Sequence, residues 1–341
     1  MARTLKVLAL FDGDDSRPRG HDFAPEFALP AWQCEAQVVA GLRALGHEVR
    51  MLVLTDDIAP LAEELDEDRP DVVFNLLEEF HKNPALVPNV VCLLELKGIP
   101  YTGSNPLALR LCKDKAMTKI VLTQAGVPNP PFQIFEPGKA VKRQEWLELP
   151  VVVKPTLEDA SYGIARASVA ASDEAFLERV RFLHEKTGQD VIAERYIMGR
   201  ELYGSLLGNK RLRFFALREV NFGTLGTSGP AIATFHVKWS EEYRRKWGIE
   251  YGFAEGLPES VTRRIEEVCK SAHRALHITG YSRIDLRLDP EGEPMILEVN
   301  PNPNLAMDED FAQAALKTGV SWEKLLQSIL DLALRAEADG I

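Results

Sequence analysis

No stretch of roughly eighteen consecutive apolar residues occurs in the 341-residue chain, so nothing in it reads as a membrane-spanning helix. Cysteine is scarce. Cys34, Cys92, Cys112 and Cys269 lie far apart with no CxxC pair, which argues against a disulfide or zinc framework and fits reduced thiols in a cytoplasmic protein. Positive charge is in deficit, with 40 Lys plus Arg against 51 Asp plus Glu for a net charge of −11. A sequence-independent nucleic-acid binder or a protein lying on anionic lipid does not fit that balance. No GxGxxG follows the first apolar run, and neither an internal repeat nor a low-complexity tract is present. The start, MARTLKVLALFDGDD, carries a short apolar stretch followed directly by acids, the pattern of a first buried strand rather than a signal peptide. What remains is ordinary globular composition, 45% apolar and 27% charged, long enough for two or three domains at about 150 residues each.

Two hydrophobic periods alternate through the first hundred residues. Lys6 to Phe11, Glu48 to Leu54 and Asp71 to Leu77 are short apolar runs, whereas Glu35 to Leu45 and Val87 to Leu96 keep helical spacing. Near-continuous apolar strands alternating with helices predict a parallel, doubly wound α/β sheet. The punctuation Pro100-Tyr101-Thr102-Gly103-Ser104-Asn105-Pro106 marks a loop, and a basic helix is expected over Ala108 to Gln124. Beyond residue 130 the pattern is short strands with helices at Ser172 to Lys186, Pro258 to His277 and, last, Ser321 to Arg335.

The stretch Tyr281 to Asn300 is the most informative. Ile284, Leu286 and Leu288 alternate with Arg283, Asp285 and Arg287; after the turn composition Pro290-Glu291-Gly292-Glu293, Met295, Leu297 and Val299 alternate with Ile296, Glu298 and Asn300. If Asp289 pairs with Pro294, Leu288 faces Met295, Leu286 faces Leu297 and Ile284 faces Val299, giving one apolar face that pins the register. The same register sets Asp285 opposite Glu298 and Arg283 opposite Asn300. Two carboxylates about 5 Å apart across strands repel, and the arrangement makes sense if a divalent cation takes oxygens from Asp285, Glu298 and the Asn300 amide. The alternative is an ordinary polar face whose acids Arg283 and Arg287 neutralise.

Other residues fall in a series along the chain. Lys154 ends the strand PVVVKP before the small-residue loop TLEDASYG, a pattern suited to gripping phosphate. Glu194 and Glu201 flank a kink, and Lys238 sits in an apolar context after the glycine-bearing stretch Asn221 to Pro230. The segments PYTGSNPLALRLCKDKAMTK (100–119), VVVKP (151–155), ERYIMGRELYG (194–204), SRIDLRLD (282–289) and LEVNPNP (297–303) together resemble the D-alanine–D-alanine ligase branch of the ATP-grasp enzymes over roughly residues 70 to 335.

That resemblance implies an ATP-grasp fold behind an N-terminal doubly wound α/β domain, with segments 1–106, 107–195 and 196–341. It implies that Lys115, Lys154 and Ser161 hold ATP phosphates, that Glu194 lies beside the adenine and that Glu201 takes the ribose hydroxyls. It further implies that Lys238 reaches the γ-phosphate, that Asp285, Glu298 and Asn300 bind two Mg²⁺ ions (with Mn²⁺ as an alternative), and that Arg283 stabilises charge in the intermediate. The chemistry implied is ligation of a carboxylate, such as that of an amino acid, to an amine through an acyl phosphate, in a cytoplasmic homodimer. Alternatives are a true D-alanine–D-alanine ligase and a non-catalytic ATP binder.

The departures fall on the substrate side. The HGxxGEDG motif of the family is replaced by FNLLEEFHKNPALVP (74–88), where Glu78, Glu79 and His81 are the polar candidates, and Glu26 and Glu35 are candidates for holding an ammonium group. The serine-rich phosphate loop has become Asp159-Ala160-Ser161-Tyr162-Gly163. Where an acceptor carboxylate is normally bound, Asp308, Glu309 and Asp310 occur. They are read either as an acceptor site for neutral or cationic amines or as the start of a helix at Phe311 to Lys317, where acids favour the N-terminal dipole.

Overall fold

A computed structural model describes residues 3–158, 165–227 and 229–339. Numbering strands along the chain, the first sheet is parallel and has the order β2-β1-β3, with β1 at Lys6–Asp12, β2 at Glu48–Leu54 and β3 at Val72–Asn75. Helix Gln33–Ala44 and the C-terminal helix Trp322–Asp339 share a core with one face of this sheet through Val38, Leu42, Leu325, Leu326 and Ile329 on Val7, Val72 and Phe74. Helices Ala59–Glu67 and Val87–Leu96 bury the other face. Burial on both faces is what the near-continuous apolar strands require.

The second sheet is antiparallel, of order β4-β7-β5-β6, with β4 Phe132–Phe135, β5 Val151–Pro155, β6 Val169–Ala170 and β7 Val191–Arg195. Helix Asp173–Thr187, capped by the Ser172 side chain on the Ala175 amide and ended by left-handed Gly188, covers it. The third sheet is β11-β10-β8-β12-β13, with β9 on β8. Its strands are β8 Arg200–Leu207, β9 Arg213–Phe214, β10 Arg218–Asn221, β11 Glu250–Phe253, β12 Tyr281–Leu288 and β13 Pro294–Pro301. Its apolar face packs on helix Glu259–Ala275 and also on Ala108, Cys112 and Leu122. The helices at 106–124 open the middle segment of the sequence reading, yet their apolar faces belong to the core of the third sheet.

Where one basic helix was expected, there are two, Pro106–Lys113 and Lys115–Gln124. Asp114 breaks the run: its backbone is extended, and its carboxylate accepts from the amides of Ala116 and Met117. That N-cap makes Lys115 the first residue of the second helix and aims it at the third sheet. The loop before these helices is held from the other side. Gly103, at φ +94°, leaves room for the Asn302 side chain, which a Cβ would meet at 2.4 Å, and Asn302 Oδ1 accepts from the Ser104 amide at 2.8 Å. Two motifs almost two hundred residues apart in sequence are thereby joined. No helix among the described residues is long and apolar enough to cross a membrane.

Candidate active site

The β12–β13 register places Asp285 opposite Glu298, Arg283 opposite Asn300 and Ile284 opposite Val299, as the sequence pattern requires. Beyond Asp285 the expected pairing is overturned. Leu286 faces Ile296, Arg287 faces Met295 and Leu288 faces Pro294, because a bulge inserts Leu297 as an extra residue in β13. The turn is one residue longer than expected, running through Asp289 to Glu293, with the Gly292 amide on the Asp289 carbonyl and the Glu293 amide on the Asp289 carboxylate. The bulge absorbs the extra residue, so that Ile296 joins the core while Met295 and Leu297 stay half-buried.

Arg283, Asp285 and Arg287 alternate onto one face of β12. Arg283 donates to both oxygens of Asp285 at 2.8 and 3.1 Å and lies 5.4 Å from the Tyr203 ring. Burial outweighs Arg283 and raises the Asp285 carboxyl above the ordinary range, with Glu298 adding to the rise. Glu298 behaves oppositely: burial alone would raise it, but Lys115, Lys238 and Lys154 together hold it well below the usual carboxylate range. Lys115 Nζ stands 3.0 Å from Glu298 Oε1. Lys238, in the short helix Phe235–Trp239, lies near enough for its charge to lower both acids. That helix belongs to the long excursion between β10 and the edge strand β11.

Among the described residues no three His, Cys, Asp or Glu side chains gather as a metal site. The donor set available here is two carboxylates and an amide on facing strand positions, and the Asn300 Nδ2 atom is buried without a partner. Such a hard-oxygen set with few protein ligands suits Mg²⁺ that also coordinates phosphate.

Lys119, absent from the sequence candidates, proves central. Its ammonium, 1% exposed, donates to the Ile296 carbonyl at 2.8 Å and lies 3.3 Å from Glu194. Lys154 reaches the other Glu194 oxygen at 3.1 Å. Burial, reinforced by Lys154 and opposed by Glu194, brings Lys119 down to about 8. Glu194 is thus the shared counter-ion of two buried lysines. The signal was available, since Lys119 lies four residues after Lys115 on one helix face. Glu201 is buried too, with Arg287 on Oε2 at 2.6 Å and the Tyr203 hydroxyl on Oε1 at 3.2 Å. Ser161 lies outside the described residues, as do Asp159, Ala160, Tyr162 and Gly163.

On the substrate side the candidates separate. Glu26 is taken by Arg17 and His21, both at 2.9 Å. Glu35 instead lies within electrostatic reach of Glu78 and of Asp12, a residue absent from the sequence candidates: Asp12 raises Glu35, and Glu35 raises Glu78. Asp12 accepts from the amides of Glu78 and Glu79, which holds the chain after β3 against the end of β1. Protein atoms crowd the Glu78 carboxyl although its surface is open to solvent, and that crowding with Asp12, Glu35, Glu79 and Glu309 raises it to about 7. Of the other acids, Asp310 is held by Arg218 at 2.9 Å and begins helix Asp310–Lys317, while Asp308 accepts from Gln33. The helix-start expectation for the acidic run is met by Asp310, while the Glu309 carboxyl is raised by burial and by Asp310 and Asp308, with Arg283 opposing, and in turn raises Glu78.

A strand pair with facing acids, ringed by lysines and approached by a buried arginine, can be compared with known proteins. Residues 121–331 match the family described as D-ala D-ala ligase C-terminus. The chain belongs to the D-alanine–D-alanine ligase family. Similar to it is a D-alanine–D-alanine ligase of Moorella thermoacetica, 30% identical over 305 residues, covering 87% of this chain and 92% of that one. A Sinorhizobium fredii protein named uncharacterized protein y4sG is 31% identical over 324 residues, covering 91% and 90%. A D-alanine–D-alanine ligase of Bacillus anthracis, solved in complex with ATP, superposes with a TM-score of 0.75 at 20% identity, covering 99% of this chain and 100% of that one. The fold is the ATP-grasp fold, and the family consists of enzymes that form C–N bonds.

Proposed function

We propose that this chain couples ATP cleavage to the joining of a carboxylate and an amine. A carboxylate oxygen of the first substrate attacks the γ-phosphorus, the bond to the β-phosphate oxygen breaks, and ADP leaves. The amine nitrogen of the second substrate then attacks the carbonyl carbon of the acyl phosphate, loses a proton and expels phosphate. Lys115 and Lys154 are suited to hold phosphate oxygens, Lys119 to fix Glu194, Lys238 to meet the transferred phosphoryl group, and Arg283 to balance charge on the tetrahedral carbon. Asp285, Glu298 and Asn300 would hold magnesium, which when bound neutralises charge on the transferring phosphate. The observation that carries this reading is the facing of Asp285 and Glu298 amid Arg283, Lys115 and Lys238.

The acidic lining of Asp12, Glu35, Glu78 and Glu309 supports a finer proposal. It favours substrates bearing ammonium groups and disfavours an acceptor whose free carboxylate would enter a field of negative charge. ADP release over a panel of amines tests this: neutral and cationic amines should turn over best, and best turnover with D-alanine would overturn the finer proposal.

A further inference from the structure

Arg287 has no part in the roles above, yet it shares the face of Arg283 and Asp285 and is 3% exposed. Its Nε and Nη2 donate to Glu201 Oε2 at 3.0 and 2.6 Å. Nη1 donates to the Ile197 carbonyl at 3.2 Å and to the Tyr196 hydroxyl at 3.3 Å, and Nη2 also reaches the Ala231 carbonyl at 2.5 Å. The rings of Tyr196 and Phe222 flank the guanidinium, each 5.5 Å from it. Tyr196 ties the same place a second time, donating to the Ala231 carbonyl and accepting from the Ala231 amide, both at 3.2 Å. One buried cation therefore joins β12, Glu201 of β8, the β7–β8 link, and the excursion that carries Lys238.

A guanidinium is a planar fork whose donors point in set directions, so a carboxylate gripped by two of them loses rotational freedom. Both N–H groups fall on Oε2. Among the described residues Oε1 has the Tyr203 hydroxyl as its hydrogen-bond donor, which leaves lone-pair capacity for a donor arriving from the cleft. Ala231 lies seven residues before Lys238, so the grip on its carbonyl also sets where the lysine helix begins its return over Asp285 and Glu298. Any aliphatic residue at 287 would fill the space but supply neither restraint.

We propose that Arg287 is a positioning residue: it aims Glu201 at the ribose hydroxyls of the nucleotide and, through Ala231, seats the segment that presents Lys238. The inference rests on the ATP-binding reading of this cleft. Its test uses the full chain with Mg·ATP and the 2′-deoxy and 3′-deoxy counterparts, read by calorimetric binding and by kcat and KM. Wild type should prefer ATP over at least one deoxy analogue by roughly tenfold, the worth of a hydrogen bond to a charged acceptor. Arg287→Met should shrink that preference to about twofold or less and lower kcat as Lys238 loses its seat; Arg287→Lys should recover part of the preference. Glu201→Gln should lose the same preference, and adding Arg287→Met to it should cost no further discrimination. An Arg287→Met protein that keeps the wild-type preference, or a wild type that binds all three nucleotides equally, overturns the proposal. If Arg287→Met does not fold, Arg287→Lys with unchanged discrimination overturns it equally. Failure of wild type to bind Mg·ATP at all would instead overturn the functional reading beneath it.

Discussion

At the scale of single residues, the protein keeps ionisable groups buried where they have partners and neutral where they do not. His273 is fully buried, its Nδ1 is 2.9 Å from the Ser282 hydroxyl, and Nε2 has no hydrogen-bond partner among the described residues. Burial lowers its pKa from 6.5 to about 4. Between those values the unfolded chain binds a proton that the folded protein refuses, so stability should fall as pH drops from about 6.5 toward 4 and then level off. The full effect is about 3 kcal/mol, from a shift of roughly two and a half pKa units at about 1.4 kcal/mol each. Urea denaturation of wild type and His273→Gln across this range checks the figure. The wild-type slope should exceed that of the variant, and parallel profiles would show that His273 does not titrate as its burial requires. Nothing in the sequence distinguished this histidine from the others, because its pKa is set by neighbours from elements distant in the chain. Lys119 escaped notice for a related reason: helical spacing from Lys115 was visible, but its partner Glu194 lies on another sheet.

Among elements, the hairpin shows how far patterning reaches. Alternation of apolar residues pinned Ile284 against Val299, and through them Asp285 against Glu298, since a one-residue slip would turn the apolar side chains out of the core. Alternation could not announce the bulge at Leu297, because Met295, Ile296 and Leu297 are all apolar and any of them could face inward. The helix break at Asp114 was legible in principle, an N-cap residue inside a helical pattern, but the continuing apolar spacing concealed it. Replacing Asp114 with Ala should remove the acceptor for the Ala116 and Met117 amides and destabilise the protein by about 1 kcal/mol. Because Lys115 starts that helix beside Glu298, KM for ATP should rise in the same variant. Denaturation midpoints and initial-rate kinetics check both; an unchanged midpoint would mean that the cap does no work.

In the molecule as a whole, three sheets supply three kinds of group to one place. The ends of the parallel sheet bring Asp12 and Glu78, the second sheet brings Lys154 and Glu194, and the third brings Arg283, Asp285, Glu298 and Asn300. Apart from Asp12, the order of these groups along the chain was readable, and so was the family. Their convergence was not, because it depends on helices 106–124 packing on the third sheet and on the C-terminal helix closing the first. The central claim is that the facing acids Asp285 and Glu298 serve catalysis rather than the sheet. The most direct measurement is ADP release with Mg·ATP, a carboxylate and an amine, comparing wild type with the Asp285→Asn, Glu298→Gln double variant at matched circular dichroism and melting temperature. The account predicts a loss of at least about a thousandfold in the variant; a folded variant that releases ADP at a rate near that of wild type would contradict it.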